Sequence, residues 1–166
     1  DIPFGKFRDK GVPIDNISNF NGEKEIVIAA ASQTSLNLYR LIFVTKQAMM
    51  KVVDGGEFDV AKRTVAATKL ADDDEVVSVA VLNEQKQIVL QSKDGYFLKF
   101  GVEEIHEKKK NAIGVRGMKL TGTDHIENVY YLCSGVENTV EYRDKSLELH
   151  KLKAAKRDGK GTKIRV

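Results

Sequence analysis

The chain has 166 residues, of which 42% are hydrophobic and 31% charged, and a formal net charge of +3. That length suits one ordinary domain with its own core, the composition is that of a globular chain, and no apolar run approaches the roughly 18 residues of a membrane-spanning helix. The single cysteine, Cys133, excludes an internal disulfide, points to a reducing compartment, and reads as a small buried hydrophobe within "NVYYLCSG".

In chain order, the opening "DIPFGKFRDKG" has neither an initiator Met nor the basic-then-apolar layout of a signal peptide, and is read as a cut point within a longer protein. "LIFVTKQAMMKV" (41–52) then places a polar turn between two strand-like runs, and "GGEFDVAKR" holds a helical turn at most. "TVAATKLADDDEVVSVAVL" (64–82) ends in a strand, with "ADDDE" a polar turn ahead of it. "QIVLQSKDGYFLKF" (87–100) is the clearest hairpin, because the glycine of Lys93-Asp94-Gly95 allows the positive φ that tight hairpin turns need. After "EKKKNAIGVRGMKL" (107–120) come a strand in "HIENVYYL", a third hairpin in "TVEYRDKSLELHKL" (139–152) and a basic tail. The tail, 151–166, carries seven basic residues against Asp158 alone, while acids gather elsewhere. Such segregation suggests one face meant for a polyanion.

These elements repeat. "GVRGMKLTGTDHIENVYYL" (114–132) lies over residues 64–82 without a gap, pairing Lys119 with Lys69, Leu120 with Leu70, Asp124 with Asp74 and Leu132 with Leu82. Weaker copies begin at Gly11 ("KGVPIDNI") and Gly161 ("KGTKIRV"), so the units start near 11, 64, 114 and 161, with spacings of 53, 50 and 47 residues. A period of about fifty residues holding four short β segments is the size of a propeller blade. About three to four units fit residues 1–166. An all-β array of four-stranded blades is expected, either an open partial ring or an incomplete one, whose free strand edges invite a second copy to pair.

The succession "RDKGVPIDNI", "FVTKQAMMKV…EFDVAKRTVAATKL", "QSKDGYFLKF…EEIHEKKKNAIGVRGMKL" and "AAKRDGKGTKIRV" resembles the C-terminal DNA-wrapping domain of the A subunit of bacterial type IIA topoisomerases, DNA gyrase and topoisomerase IV. The resemblance implies a β-pinwheel, a propeller-like ring whose four-stranded blades exchange a strand with their neighbours. It covers about half of such a domain. It further implies a non-catalytic module that binds and bends double-stranded DNA on a basic rim, in the cytoplasm at the nucleoid. Its partners would be the remainder of that A subunit, together with the ATPase B subunit. Cofactors are expected in the parent enzyme, which uses ATP and Mg2+, and none in this segment. The gyrase box Q-R-R-G-G-x-G finds only Lys156-Arg157-Asp158-Gly159-Lys160-Gly161 here, with an acid where the box has glycine. That departure favours a topoisomerase IV-like protein over gyrase, unless the box lies upstream. No counterpart of the family's DNA-cleaving domain is present.

The expected DNA-binding track is Lys62, Arg63 and Lys69, then Lys108, Lys109, Lys110, Arg116 and Lys119, continuing into Lys156, Arg157, Lys160, Lys163 and Arg165. Recurrence of basic residues at one place in successive units makes a phosphate-neutralising path more economical than scattered solubility charges. No catalytic set and no metal site is expected: "GVRG" and "GKGT" lack nucleotide-loop spacing, His106, His125 and His150 are scattered, and "DDDE" lacks the frame of a calcium loop. The tyrosines, Tyr39, Tyr96, Tyr130, Tyr131 and Tyr142, are read as strand residues that pack across neighbours. The alternative reading is a propeller-like protein-interaction scaffold whose basic surface serves solubility or an acidic partner.

Overall fold

Three hairpins, each made by two strand-forming runs folding back over a short turn, form the frame of the computed structural model, which describes residues 3–165. The strands are β1 (Arg40–Thr45), β2 (Met49–Asp54), β3 (Val76–Leu82), β4 (Gln85–Ser92), β5 (Tyr96–Gly101), β6 (Val115–Arg116), β7 (Ile126–Cys133), β8 (Thr139–Tyr142), β9 (Lys145–Glu148) and β10 (Thr162–Lys163). β1–β2, β4–β5 and β8–β9 are the antiparallel hairpins. The first two turn alike. Ala48 and Gly95 take φ of 64° and 84°, and the hydroxyls of Thr45 and Ser92 accept the amides of Met49 (3.0 Å) and Tyr96 (3.3 Å). The third turns on two residues, Arg143 and Asp144, both left-handed at φ of 49° and 61°, the geometry of a type I′ turn without its usual glycine.

Two hairpins are completed into four-stranded sheets of the same plan. The order is β3-β1-β2-β6 in the first and β7-β4-β5-β10 in the second. In each, one outer strand follows the hairpin in sequence, and the other is a two-residue strand delivered from the unit beyond: β6 pairs Arg116 with Met49, and β10 pairs Lys163 with Tyr96. This is the strand exchange of a β-pinwheel. Glycine makes the exchange sterically admissible. A Cβ on Gly114 (φ 107°) would lie 2.3 Å from the Met50 carbonyl oxygen, and one on Gly161 (φ 79°) would lie 2.6 Å from that of Phe97.

The sheets stack blade on blade. Ile42, Val44, Met50 and Val52 of the first face Ile88, Leu90, Leu98 and Phe100 of the second, with Ile105, Met118 and Ile126 closing the layer. The other face of the second sheet presents Val89 and Phe97 to Tyr142 and Leu149 of the third hairpin unit, with the Phe97 and Tyr142 rings edge to face at 5.1 Å. β8–β9 pairs with no further strand among the described residues, so the array is open.

The first sheet's outer face carries Leu41, Phe43 and Val53, packed by Leu36, Phe58, Val79 and Val81. Over it lies a broad slot of about 1050 Å³, lined also by residues 26–31 and by Arg63, Thr64 and Ala67. Residues 26–31 stand 50 positions before 76–81 in β3, and 65–66 stand 50 before β6. Both are strand repeats whose counterparts pair with an earlier hairpin, and no hairpin precedes them among the described residues. Their apolar side chains are therefore left out, with Ile26 82% exposed. The repeat near Gly11 holds only a short 3₁₀ turn at Ile14–Asn16.

Local detail refines the sequence readings. A six-residue helix, α1 (Gln33–Leu38), is present where none was expected, capped by the Ser32 hydroxyl on the Ser35 amide, and Tyr39 ends this helix instead of lying in a strand. Cys133 is half-buried on β7. "ADDDE" does form a turn, but Asp74 is buried in it, and its Oδ1 accepts the Gln47 amide at the hairpin tip at 2.9 Å. Asp124, fifty residues on, accepts the Asp94 amide at 3.0 Å in the same way. Each Oδ1 also accepts the amide of the following residue, Glu75 or His125, at 2.9 Å, so the acids close their own turns and hold the hairpin tips.

Candidate nucleic-acid interface

The exposed basic residues sit where each unit crosses to the blade before it. In the first crossing the Lys108 amide donates to the Val52 carbonyl at 2.8 Å, and in the second the Ala155 amide donates to the Lys99 carbonyl at the same distance. This register makes Lys109 and Lys156 equivalent, as are Lys110 and Arg157, and Arg116 and Lys163, each pair 47 residues apart. One unit earlier Lys62 and Arg63 occupy the same region, just ahead of the Thr64 that aligns with Gly114.

The two crossings run beside each other. The Lys119 amide donates to the Gly159 carbonyl at 2.9 Å and the Asp158 amide to the Gly117 carbonyl at 2.8 Å, with a bridge between Met118 and Gly159. Arg116, Lys119, Arg157 and Lys160 thereby share one neighbourhood. Lys62, Arg63 and Lys69 are exposed on an irregular segment at the slot's border, and among the described residues no hydrogen bond or ion pair joins their side chains to the other basic residues.

The expected track divides by what each side chain already holds. Lys110 is partly buried, and its Nζ donates to the Glu57 carbonyl at 2.8 Å. Arg157 donates to the carbonyls of Glu104 (3.0 Å) and Arg116 (2.6 Å). Arg116 grips Asp158 with two nitrogens, its Nη2 at 3.0 Å from Oδ2 and its Nε on Oδ1. This bidentate pairing raises the guanidinium's already high pKa and, through the hydrogen bond first, lowers that of the carboxylate. Lys109 reaches Glu57 at 3.2 Å but stays largely exposed. Lys160 and Lys163 flank the Tyr96 ring, at 5.0 and 5.3 Å from its centroid. Lys62, Arg63, Lys69, Lys108, Lys119, Lys156 and Arg165 are exposed, and none of them has a side-chain hydrogen bond or ion pair among the described residues.

Two lysines passed over in the sequence sit beneath the crossings. Lys51, 1% exposed on β2, donates to the carbonyls of Lys109 (3.4 Å), Lys110 (2.6 Å) and Ala112 (2.7 Å). Lys99, 6% exposed on β5, donates to those of Leu149 (3.4 Å) and His150 (2.8 Å). Burial lowers the pKa of both, with Glu57 partly offsetting the effect at Lys51. The available signal was a lone lysine inside an apolar strand, "MMKVV" and "FLKFG", a placement rarely tolerated unless the ammonium has partners. Among the described residues no group of His, Cys, Asp and Glu is arranged to hold a metal ion, and no helix is long and apolar enough to cross a membrane.

Comparison with known proteins bears on the fold and the family. Residues 39–83 and 86–132 match the family model described as DNA gyrase C-terminal domain, beta-propeller. The chain is 28% identical over 153 residues to the DNA gyrase A subunit of Rickettsia bellii (strain RML369-C), covering 89% of this chain and 17% of that one. It is 27% identical over 127 residues to the A subunit of DNA topoisomerase 4 from Bacillus subtilis (strain 168), covering 75% and 16%. The chain thus spans under a fifth of these relatives. Among solved structures, a C-terminal domain of DNA topoisomerase IV superposes with a TM-score of 0.83 at 26% identity, over 96% of this chain and 51% of that one. The E. coli ParC C-terminal domain shares the fold, with a TM-score of 0.69 at 15% identity, over 95% and 67%.

Proposed function

Because the chain belongs to the DNA gyrase C-terminal, beta-propeller domain family, found in the A subunits of type IIA topoisomerases, we propose that it is a non-catalytic module that binds and bends duplex DNA for such an enzyme. The observation that carries the reading is the recurrence of exposed cations in the crossing segments of successive units, with Lys109 and Lys156 at equivalent positions and Lys62 in the segment one unit earlier. Phosphates are contacted by such cations without base reading, with release of counterions. Bending 20–30 bp of duplex by 40–90° costs on the order of 1–6 kcal/mol. Several modest contacts spread along an arc meet that cost, and neighbouring blades provide the arc.

In the parent enzyme this module would hold one duplex segment while cleavage takes place elsewhere in the A subunit. The B subunit would use ATP, with Mg2+. The topoisomerase IV-like reading is favoured over gyrase by Asp158, whose carboxylate takes up Arg116 at the position where the gyrase box has glycine.

The test is a Lys62→Glu, Lys109→Glu, Lys156→Glu triple variant, titrated with a 40-bp duplex across a salt series. Each phosphate neutralised contributes about 0.9 to the log–log slope. Loss of three contacts should flatten the slope by about 2–3 units and weaken binding at every sequence tested. Unchanged affinity in a folded triple variant would remove these cations from the interface.

A further inference from the structure

A carboxylate beside a phosphate-binding surface is electrostatically adverse, yet each crossing has one at the same place. Glu57 Oε2 accepts the Lys110 amide at 3.0 Å, and Lys110 Nζ returns a bond to the Glu57 carbonyl at 2.8 Å. Glu104 Oε2 accepts the Arg157 amide at 2.9 Å, and Arg157 Nε returns a bond to the Glu104 carbonyl at 3.0 Å. Both pairs span 53 residues, and one pair lies 47 residues after the other. Glu57 and Glu104 lie at the short 3₁₀ turns that follow β2 and β5, so each reciprocal clasp ties a basic loop to the turn of the unit before it. Lys51 grips the first loop from below through three carbonyls. Glu57's pKa is lowered chiefly by the Lys110 amide, although burial pushes it upward.

We propose that Glu57 and Glu104 are positioning residues for DNA binding, clasping the crossing loops so that the exposed lysines on them, Lys108 and Lys109 in the first and Lys156 in the second, are held at fixed spacing along the duplex. The proposal rests on the DNA-binding reading above. It differs from a plain charge effect in sign. As an adverse charge, the carboxylate should weaken DNA binding, and its removal should tighten the complex. As a clasp, its removal should loosen the loop and weaken the complex, because mobile lysines must be ordered on binding.

Two variants separate these effects. Glu57→Ala removes both the charge and the acceptor, whereas Glu57→Gln removes the charge and keeps an oxygen for the Lys110 amide. Hydrogen exchange of residues 107–113 without DNA, and affinity for a 40-bp duplex at two salt concentrations, are measured on both variants and the parent chain. Faster exchange in Glu57→Ala, with affinity about three- to tenfold weaker, is expected, equivalent to losing one or two phosphate contacts. Glu57→Gln should bind as tightly as the parent or more so. Unaltered exchange in Glu57→Ala, or binding as tight as the parent's, would overturn the proposal. Failure of the parent chain itself to bind duplex would overturn the DNA-binding reading and the proposal with it, and the exchange data would still report whether the clasp exists.

Discussion

Lys51 shows how one side chain links core and surface. Its stem lies among the buried strands with its ammonium 5.5 Å from the Phe43 ring, and its three hydrogens go to carbonyls of the loop that displays Lys108 and Lys109. Lys51→Met keeps the apolar stem and leaves those carbonyls without their donor, at a cost of about 1–3 kcal/mol in a denaturant titration. A stability equal to the parent's would mean that the carbonyls find water instead. The pH dependence has a definite sign. Burial lowers the folded-state pKa of Lys51 below its ordinary value of 10.5, so between those two values the unfolded chain holds a proton that the folded one has released. Stability from this group therefore rises with pH across that window. Lys51→Met should flatten that rise, and an unchanged slope would assign it to Lys99 alone.

Among the elements, the two-residue exchanged strands are the most exacting. They contribute few hydrogen bonds, and their approach depends on Gly114 and Gly161, which hold positive φ against a carbonyl. Gly161→Ala should free β10 from β5 and raise hydrogen exchange at residues 162–163 while leaving β4–β5 protected. Undisturbed protection at those amides would show that the backbone accommodates the methyl group. The hairpins were legible in the sequence because apolar runs and turn residues are local signals. The third was legible only from its flanks, since Arg143-Asp144 takes a left-handed turn with no glycine to announce it. The exchange partner was not legible, because a period tells where a unit recurs and not which neighbour its strand joins. For the same reason Lys110, Arg116 and Arg157 read as free cations. Their acceptors, Glu57, Asp158 and Glu104, are distant in sequence from the cations they hold, and no motif pairs them. The repeat did contain the answer in the 47-residue step shared by Glu57 and Glu104, which becomes visible once the basic loops are aligned on the same step.

For the whole molecule, two completed sheets and a third hairpin make an open arc with unlike ends. One end is an apolar slot floored by Leu41, Phe43, Val79 and Val81. At the other, β8–β9 shows Thr139, Glu141, Ser146 and Glu148 to solvent. Crossing loops recur along the arc, so the basic residues are repeated at the spacing of the blades instead of gathering in one pocket. A surface of that kind gains contacts with every further stretch of duplex it meets, whereas a scaffold with incidental lysines gains nothing from length beyond its footprint. The most direct measurement is therefore the affinity of the chain for duplexes of about 15 and 40 bp carrying donor and acceptor dyes at their ends, at several salt concentrations. The account predicts tighter binding of the longer duplex, a log–log salt slope several units negative at about 0.9 per phosphate, and energy transfer that rises as the ends are drawn together. Equal affinity for both lengths, a flat slope and unchanged transfer would contradict it and favour the protein-interaction scaffold.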